Sequence, residues 1–381
     1  MKYRIFTAIL FVFGPAFGLS WAALTQVGKQ SNPSQEAAAS FSEYSIYIPA
    51  VCKNYSSAEE DITTSGKMTQ DEIWHGDILL TGDVEIPIGI TLTIEPGTTV
   101  RFTAQSDDQS DPGEYNPNDP TTIHATMITI LVFGSIEALG TSEQPITFTT
   151  DSSTPGDLDW QSIQVEGSGV VYLDYVVIEH GYFGVQLNTA TLKALISNST
   201  FKYATTCCIC TFRHPIDNTV IINDNKFIGC GREAIDTYSD QNIIVQHNVF
   251  SDNYVGIMSV GSDIIVENNL FTGNLRGMGV IENGKPSITG NEFTDTDGAA
   301  IFITDASPEI INNNLYGNVY NLQLEGSTQD ISAENNWWGS DEKASIDASI
   351  WDRDDDSSLG IVDYEPFATE ALDLDVPVFE K

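Results

Sequence analysis

Residues 264–271 read Ile-Ile-Val-Glu-Asn-Asn-Leu-Phe, and this stretch decides the fold because its neighbours repeat it. Upstream stand VIINDNKF (220–227) and NIIVQHNVF (242–250); downstream stand PSITGNEF (286–293), PEIINNNLY (308–316) and DISAENNWW (330–338). Each copy is an apolar-x-apolar run, then Asn, then an aromatic two places on. Taking that Asn as marker gives Asn225, Asn248, Asn269, Asn291, Asn314 and Asn336, with Ser199 in the same place before Phe201. The steps are 26, 23, 21, 22, 23 and 22 residues. A period of about 22 residues without helical spacing predicts a solenoid of stacked strands.

The register assigns the rows. Strand side chains alternate faces. Ile196, Ile222, Val245, Val266, Ile288 and Ile311, three before the marker, therefore point inward. So do Phe201, Phe227, Phe250, Phe271, Phe293 and Tyr316, two after it. Coils spaced by roughly 4.8 Å stack like on like. The marker Asn tolerates left-handed backbone, and its amide can bond the turn and the next Asn. The repeated phrase is thus expected to be structural.

Upstream, GDVEIPIGITLTIEPGTTVRF (82–102) and ITILVFGSIEALGTSEQPITFTT (128–150) alternate apolar and polar residues between Gly and Pro, which is strand chemistry. A polar, Pro-containing insertion at 105–121 separates them. At this point the coils resemble right-handed parallel β-helix repeats of the pectin-lyase-like superfamily. The opening strands resemble the first coils of its secreted bacterial members. ENNWWGSDE, followed by IWDRDDDSSLGIVDYEPF, resembles their C-terminal close. The resemblance covers roughly 71–367 and implies an all-β, right-handed parallel β-helix. That fold hosts lyases, hydrolases, epimerases, adhesins and metal-site assembly factors, so the fold alone does not name an activity.

Residues 1–22 read as a signal peptide: Lys2 and Arg4, then the apolar run IFTAILFVFGPAFGL, then Ser20-Trp21-Ala22 as the cleavage region. Residues 23–70 read as a flexible leader with a short apolar patch at 44–55, and 368–381 as a C-terminal tail. No later run is long and apolar enough to span a bilayer. The expected location is extracellular or on the cell surface. Acidic residues outnumber basic ones 54 to 16, for a net charge of −38, which argues against nucleic acid as a partner. Of the five cysteines, Cys207, Cys208 and Cys210 read as small apolar fillers. One bond from Cys230 to that group stays open, and Cys52 lies in the leader.

Function in a solenoid sits on its outward rows and turns. Asn223, Gln246, Glu267, Thr289, Asn312 and Glu334 form one polar row, two before the marker. A second strand after each aromatic carries an outward row of Gln186, Ile209, Asp236, Met258, Gly279, Phe302 and Gln323. Ile209, Met258 and Phe302 there require cover or a ligand. Gln186, Asp236, Met258, Glu267, Phe302 and Gln323 are the candidate ligand contacts. Glu282, Asp305 and Glu325 follow that strand on consecutive coils, and stacking would bring neighbouring carboxylates within roughly 5–10 Å. Such a set suits calcium, or the acid and base of an inverting glycosidase about 6.5–9.5 Å apart. Arg276 is the adjacent base, and lyases of this fold class pair calcium with a basic side chain. Asp352, Asp354 and Asp356 are a further calcium candidate, although Ser357 stands where an EF-hand loop needs glycine. The resemblance also brings a motif set for pectin-cleaving hydrolases, and only His180-Gly181 of it is present.

The sequence is therefore read as a secreted or surface-associated β-helix protein that binds carbohydrate or another extracellular surface without cleaving it. No cofactor is required, and calcium is the one the carboxylates would admit. The alternative is a polysaccharide lyase or related carbohydrate-active enzyme acting on uronate-containing glycans. A metal-site assembly factor is third, since no His, Met or Cys cluster suits a transition metal.

Overall fold

The computed structural model describes residues 6–9, 23–26, 62–106, 126–188, 191–214 and 218–378. The chain divides into two units, Met1–Ala58 and Glu59–Lys381. In the first, Phe6–Ile9 pairs antiparallel with Ala23–Gln26. The rest of the expected signal segment, the patch 44–55, Cys52 and residues 107–121 of the polar insertion lie outside the described residues.

The second unit is a solenoid of three parallel sheets. Sheet 1 holds ten strands, from Glu72–Trp74 to Glu309–Ile311, and sheet 2 holds ten, from Asp77–Leu80 to Asn314–Tyr316. Sheet 3 holds twelve, from Gly66–Lys67 to Ile350–Trp351. The first strand of sheet 3 thus lies inside the stretch read as leader, and the coils begin before residue 71. Each strand bonds only to the same strand one coil away, so the interior is built of rows. In sheet 2, Phe201, Phe227, Phe250, Phe271 and Phe293 stack with centroids 5.1, 5.0, 4.6 and 4.3 Å apart and are fully buried. Among the described residues the one α-helix is Lys343–Asp347, at the C-terminal close.

The ladder has the form expected of it, with one residue replaced. Asn225, Asn248, Asn269 and Asn291 each donate backbone N–H and side-chain Nδ2 to Oδ1 of the next rung, at 2.9–3.1 Å. The rung after Asn291 is Asn313, not Asn314, and it continues to Asn336. The core partner of Phe293 is accordingly Leu315, and that of Ile288 is Ile310. Tyr316, Ile311 and Asn312 are displaced from the rows assigned to them: Ile311, not Asn312, pairs with Thr289. The left-handed residue is also one place earlier than expected: His247, Asn268, Gly290, Asn312 and Asn335 carry φ of 51–70°. The ladder Asn is needed for its amide, while its predecessor absorbs the turn.

Asn314 does something else. Its side chain meets the backbone of Leu372 twice, Nδ2 to O and Oδ1 from N, both at 3.0 Å. His247 lies 3.5 Å from Asp375. The tail thus runs back along the coils as a strap, past the outward Val249 and Leu270, which are buried. At the other end, Glu72 turns its carboxylate inward. Thr63 N–H, Thr63 Oγ1 and Trp74 Nε1 satisfy it at 3.0, 2.5 and 3.0 Å.

The cysteine reading is corrected. Cys208 is bonded to Cys230 on the next coil, and Cys207 to Cys210, each pair 5.9 Å apart at Cα. Stacking places Cys208 beside its neighbour's position, which spacing along the chain does not reveal.

Candidate ligand-binding face of the third sheet

Sheet 3 turns three parallel rows of side chains outward. The middle row pairs Gln186 with Cys210, Cys210 with Asp236, Asp236 with Met258, Met258 with Gly279, Gly279 with Phe302, and Phe302 with Gln323. Trp351 ends it. Ile209, expected in this row, instead pairs with Val185 and Ile235 in the core, so Cys210 takes its place. One flank carries Glu233, Val255, Arg276, Ala299 and Tyr320; the other carries Phe212, Tyr238, Val260, Ile281 and Thr304.

The apolar part of this face covers itself. Phe302 is 4 % exposed and packs with Val255, Ala299, Met258 and Tyr320, apart from the main core. Its ring lies over Gly279, where a Cβ would come within 2.3 Å of Cζ. Any side chain there would push the ring off the sheet. The Arg276 guanidinium sits 4.4 Å from the ring centroid and reaches Glu325 at 2.8 Å. Phe302 therefore needs no ligand to cover it, and Arg276 is held as a cation–π and ion-pair partner.

The polar part differs. Asp236 is 7 % exposed, and its Oδ1 has no hydrogen-bond partner. Burial raises its pKa from 3.8 to about 7, and the charge of Glu233 adds to the rise, as does that of Asp240. Arg232 and Tyr238 pull the other way. Glu233 is raised too, first by burial, with Arg232 opposing at 3.3 Å. Burial and these two acids raise the Tyr238 hydroxyl. Two acids three places apart would normally face opposite sides of a strand. The small residue Ala234 sits at the corner in the series with Gly256, Gly277 and Ala300, where a Cβ on Gly277 would strike the Ala300 carbonyl at 2.3 Å. That bend breaks the alternation and turns both acids outward. The strand end is fixed by a buried pair, His214 Nδ1 to Asp240 at 2.9 Å, with Asp240 also accepting from Tyr238 N–H at 2.9 Å.

The other candidates do not converge. Glu282 and Asp305 stand exposed on left-handed turn positions, with φ of 56° and 47°. Glu325 falls one register place earlier, beside Thr304, and is taken by Arg276. The expected three-carboxylate group is therefore split. Glu267 lies on sheet 1 beside Gln246 and Thr289, far round the coil from Asp236. Asp352 accepts from Asp354 N–H and Val362 N–H at 2.9 and 2.8 Å, and Asp356 accepts from Ser358. These carboxylates shape the closing loop, and among the described residues no group of three or more His, Cys, Asp or Glu gathers as a cation would need. Gln323 and Gln186 do face out on sheet 3, the latter accepting from Ser162 Oγ at 2.9 Å.

Comparison with known proteins agrees with this architecture. The family described as the right handed beta helix region matches residues 157–257 and 183–338. The chain is a right-handed parallel β-helix. Among solved structures it is similar to the periplasmic alginate epimerase AlgG, at 13% identity over 79% of this chain and 76% of that one, with a TM-score of 0.50. It is also similar to the catalytic unit of a GH87 α-1,3-glucanase from Streptomyces thermodiastaticus, at 11% identity over 79% and 62%, TM-score 0.40. An alginate lyase from a Paenibacillus species matches at 14% identity over 74% and 92%, TM-score 0.33. No curated protein matches the sequence.

Proposed function

We propose that the protein is exported and binds a glycan along the outer face of sheet 3 without cleaving it. The observation that carries this reading is Asp236: a desolvated carboxylate with an unpartnered oxygen, set in an outward row between Cys210 and half-buried Met258, with the Tyr238 ring on the same strand and Tyr320 and Trp351 farther along the same face. Rings that offer a face, beside a polar group lacking a donor, suit a pyranose with an apolar side and hydroxyl edges. The likeness of the fold to a periplasmic alginate epimerase supports carbohydrate as the ligand class and export as the destination. Among the described residues no helix is long and apolar enough to cross a membrane. Binding is favoured over cleavage because Arg276, the expected base, is committed to Glu325. Screening the purified protein against a polysaccharide panel, for retention and for new reducing or unsaturated ends, tests it. Retention without new ends is expected.

One observation favours a second reading, a carbohydrate-active enzyme. Glu233 and Asp236 share a surface and burial raises both, and perturbed acids side by side are a mark of catalytic sites. Release of new ends that disappears in Asp236→Asn would select it.

A further inference from the structure

The glycan-binding reading leaves the chemical class of glycan open, and the charges on sheet 3 choose it, a choice that rests on glycan binding itself. The two arginines flanking the middle row are taken, Arg276 by Glu325 at 2.8 Å and Arg232 by Glu233 at 3.3 Å. Arg213 lies beyond the strand end, on a left-handed turn position after Phe212. Asp236 is not balanced in the same way. Asp236 is 7 % exposed, yet its Oδ1 has no donor, and Glu233 stands on the same strand with its own charge directed at it.

We infer that the ligand is a glycan carrying free amino groups, and that one protonated amine seats against Asp236 Oδ1. An ammonium brings three donors and a positive charge. The donors satisfy an oxygen whose isolation costs free energy, and the charge offsets the repulsion between Glu233 and Asp236. A neutral hydroxyl supplies only the first. A uronate carboxylate would add a further negative charge beside Glu233 and Asp236, and no uncommitted arginine flanks the row to receive it. The net charge of −38 draws cationic chains toward the surface at long range. Met258, one coil from Asp236 in the same row and half-buried, has the flexible side chain that moves aside to admit the amine.

The test is calorimetric titration at about 0.15 M salt, where exposed charges are screened beyond about 8 Å. The probes are tetramers of glucosamine, of N-acetylglucosamine and of a uronic acid. The amine tetramer is expected to bind at least tenfold more tightly than the acetylated one, and the uronate not at all. Asp236→Asn should lose at least tenfold for the amine tetramer. Glu282→Gln removes the same charge from an exposed turn and should change nothing. Met258→Lys sets a competing ammonium beside Asp236 and should abolish binding even where Asp236→Asn folds poorly. Equal affinity for the acetylated tetramer, or preference for the uronate, overturns the amine inference while leaving glycan binding in place. An equal loss in Glu282→Gln also overturns it, because the attraction would then belong to the whole surface. Failure of all three tetramers, and of the polysaccharide panel, sinks glycan binding and this inference with it.

Discussion

Asn269 delivers both its backbone N–H, at 2.9 Å, and its side-chain Nδ2, at 3.0 Å, to a single acceptor, Oδ1 of Asn291 one coil on. The same Nδ2 reaches back to the Val245 carbonyl at 2.9 Å, and Asn269 Oδ1 receives the matching pair from Asn248. One buried amide thus joins three coils. Asn269→Ala leaves several buried groups unsatisfied and is expected to cost about 1–3 kcal/mol. Urea unfolding should show the midpoint fall, and an unchanged midpoint would remove the ladder from the account of stability.

The displaced rung gives a sharper comparison. Asn313 donates to Asn336 and to the Ile288 carbonyl, at 2.8–3.0 Å, all in the core. The Asn314 side chain bonds only to the tail at Leu372. Asn313→Ala should therefore cost about 1–3 kcal/mol globally. Asn314→Ala should leave the midpoint within about 0.5 kcal/mol and speed amide exchange and proteolysis in 368–378. The reverse ranking would restore the register expected from the sequence.

Phe250 is stacked between Phe227 at 5.0 Å and Phe271 at 4.6 Å and is fully buried. Phe250→Ala opens a cavity in a stack that cannot collapse without moving two strands. A loss of about 3–5 kcal/mol is expected in the same unfolding assay.

Asp236 predicts a pH signature. Its folded pKa, about 7, lies above the unfolded value near 3.8. The folded state therefore binds the proton more tightly than the unfolded chain. That stabilisation is fully present below about pH 4 and is lost as pH rises through about 7, up to about 4 kcal/mol in all. Asp236→Asn removes the dependence. At pH 8 the variant should be the more stable of the two, and at pH 4 the difference should vanish. Parallel pH curves for the two proteins would show that the carboxylate is not desolvated.

Arg276→Ala should uncover Phe302 and leave Glu325 without its partner. Both groups are at the surface edge, so a loss of about 1 kcal/mol is expected. Binding of the ligand should weaken little, because Arg276 is occupied. A total loss of ligand binding would place Arg276 in the site.

The solenoid, its period, its inward rows and its Asn ladder were legible in the chain because they rest on local alternation and on repetition. A strand's two faces are set by chemistry two residues apart, and a repeat shows the same choice many times. Where the chain offered several equivalent choices, this failed. Asn312-Asn313-Asn314 presents three amides in a row, and Leu315 and Tyr316 are both apolar enough to point inward. Only the stacking of Leu315 on Phe293 selects Asn313 for the ladder and frees Asn314 to hold the tail.

The candidate site was legible in part, for a related reason. Asp236, Met258, Phe302 and Gln323 could be placed on one outward row from spacing alone. Whether those side chains were free could not be. Arg276 folds over Phe302 on the next coil and meets Glu325 on the one after, so three residues from three coils neutralise one another. Glu282 and Asp305, equally acidic in the sequence, end on exposed turns. Ala234 turns Glu233 to the same side as Asp236 by a bend that alternation does not predict. The sequence by itself determined which rows exist, because side-chain alternation is a property of the local backbone. The tertiary structure alone decided that Arg276 is paired and Asp236 is left bare, because the burial of Asp236 and the Arg276–Glu325 pair depend on neighbouring coils that only stacking brings together.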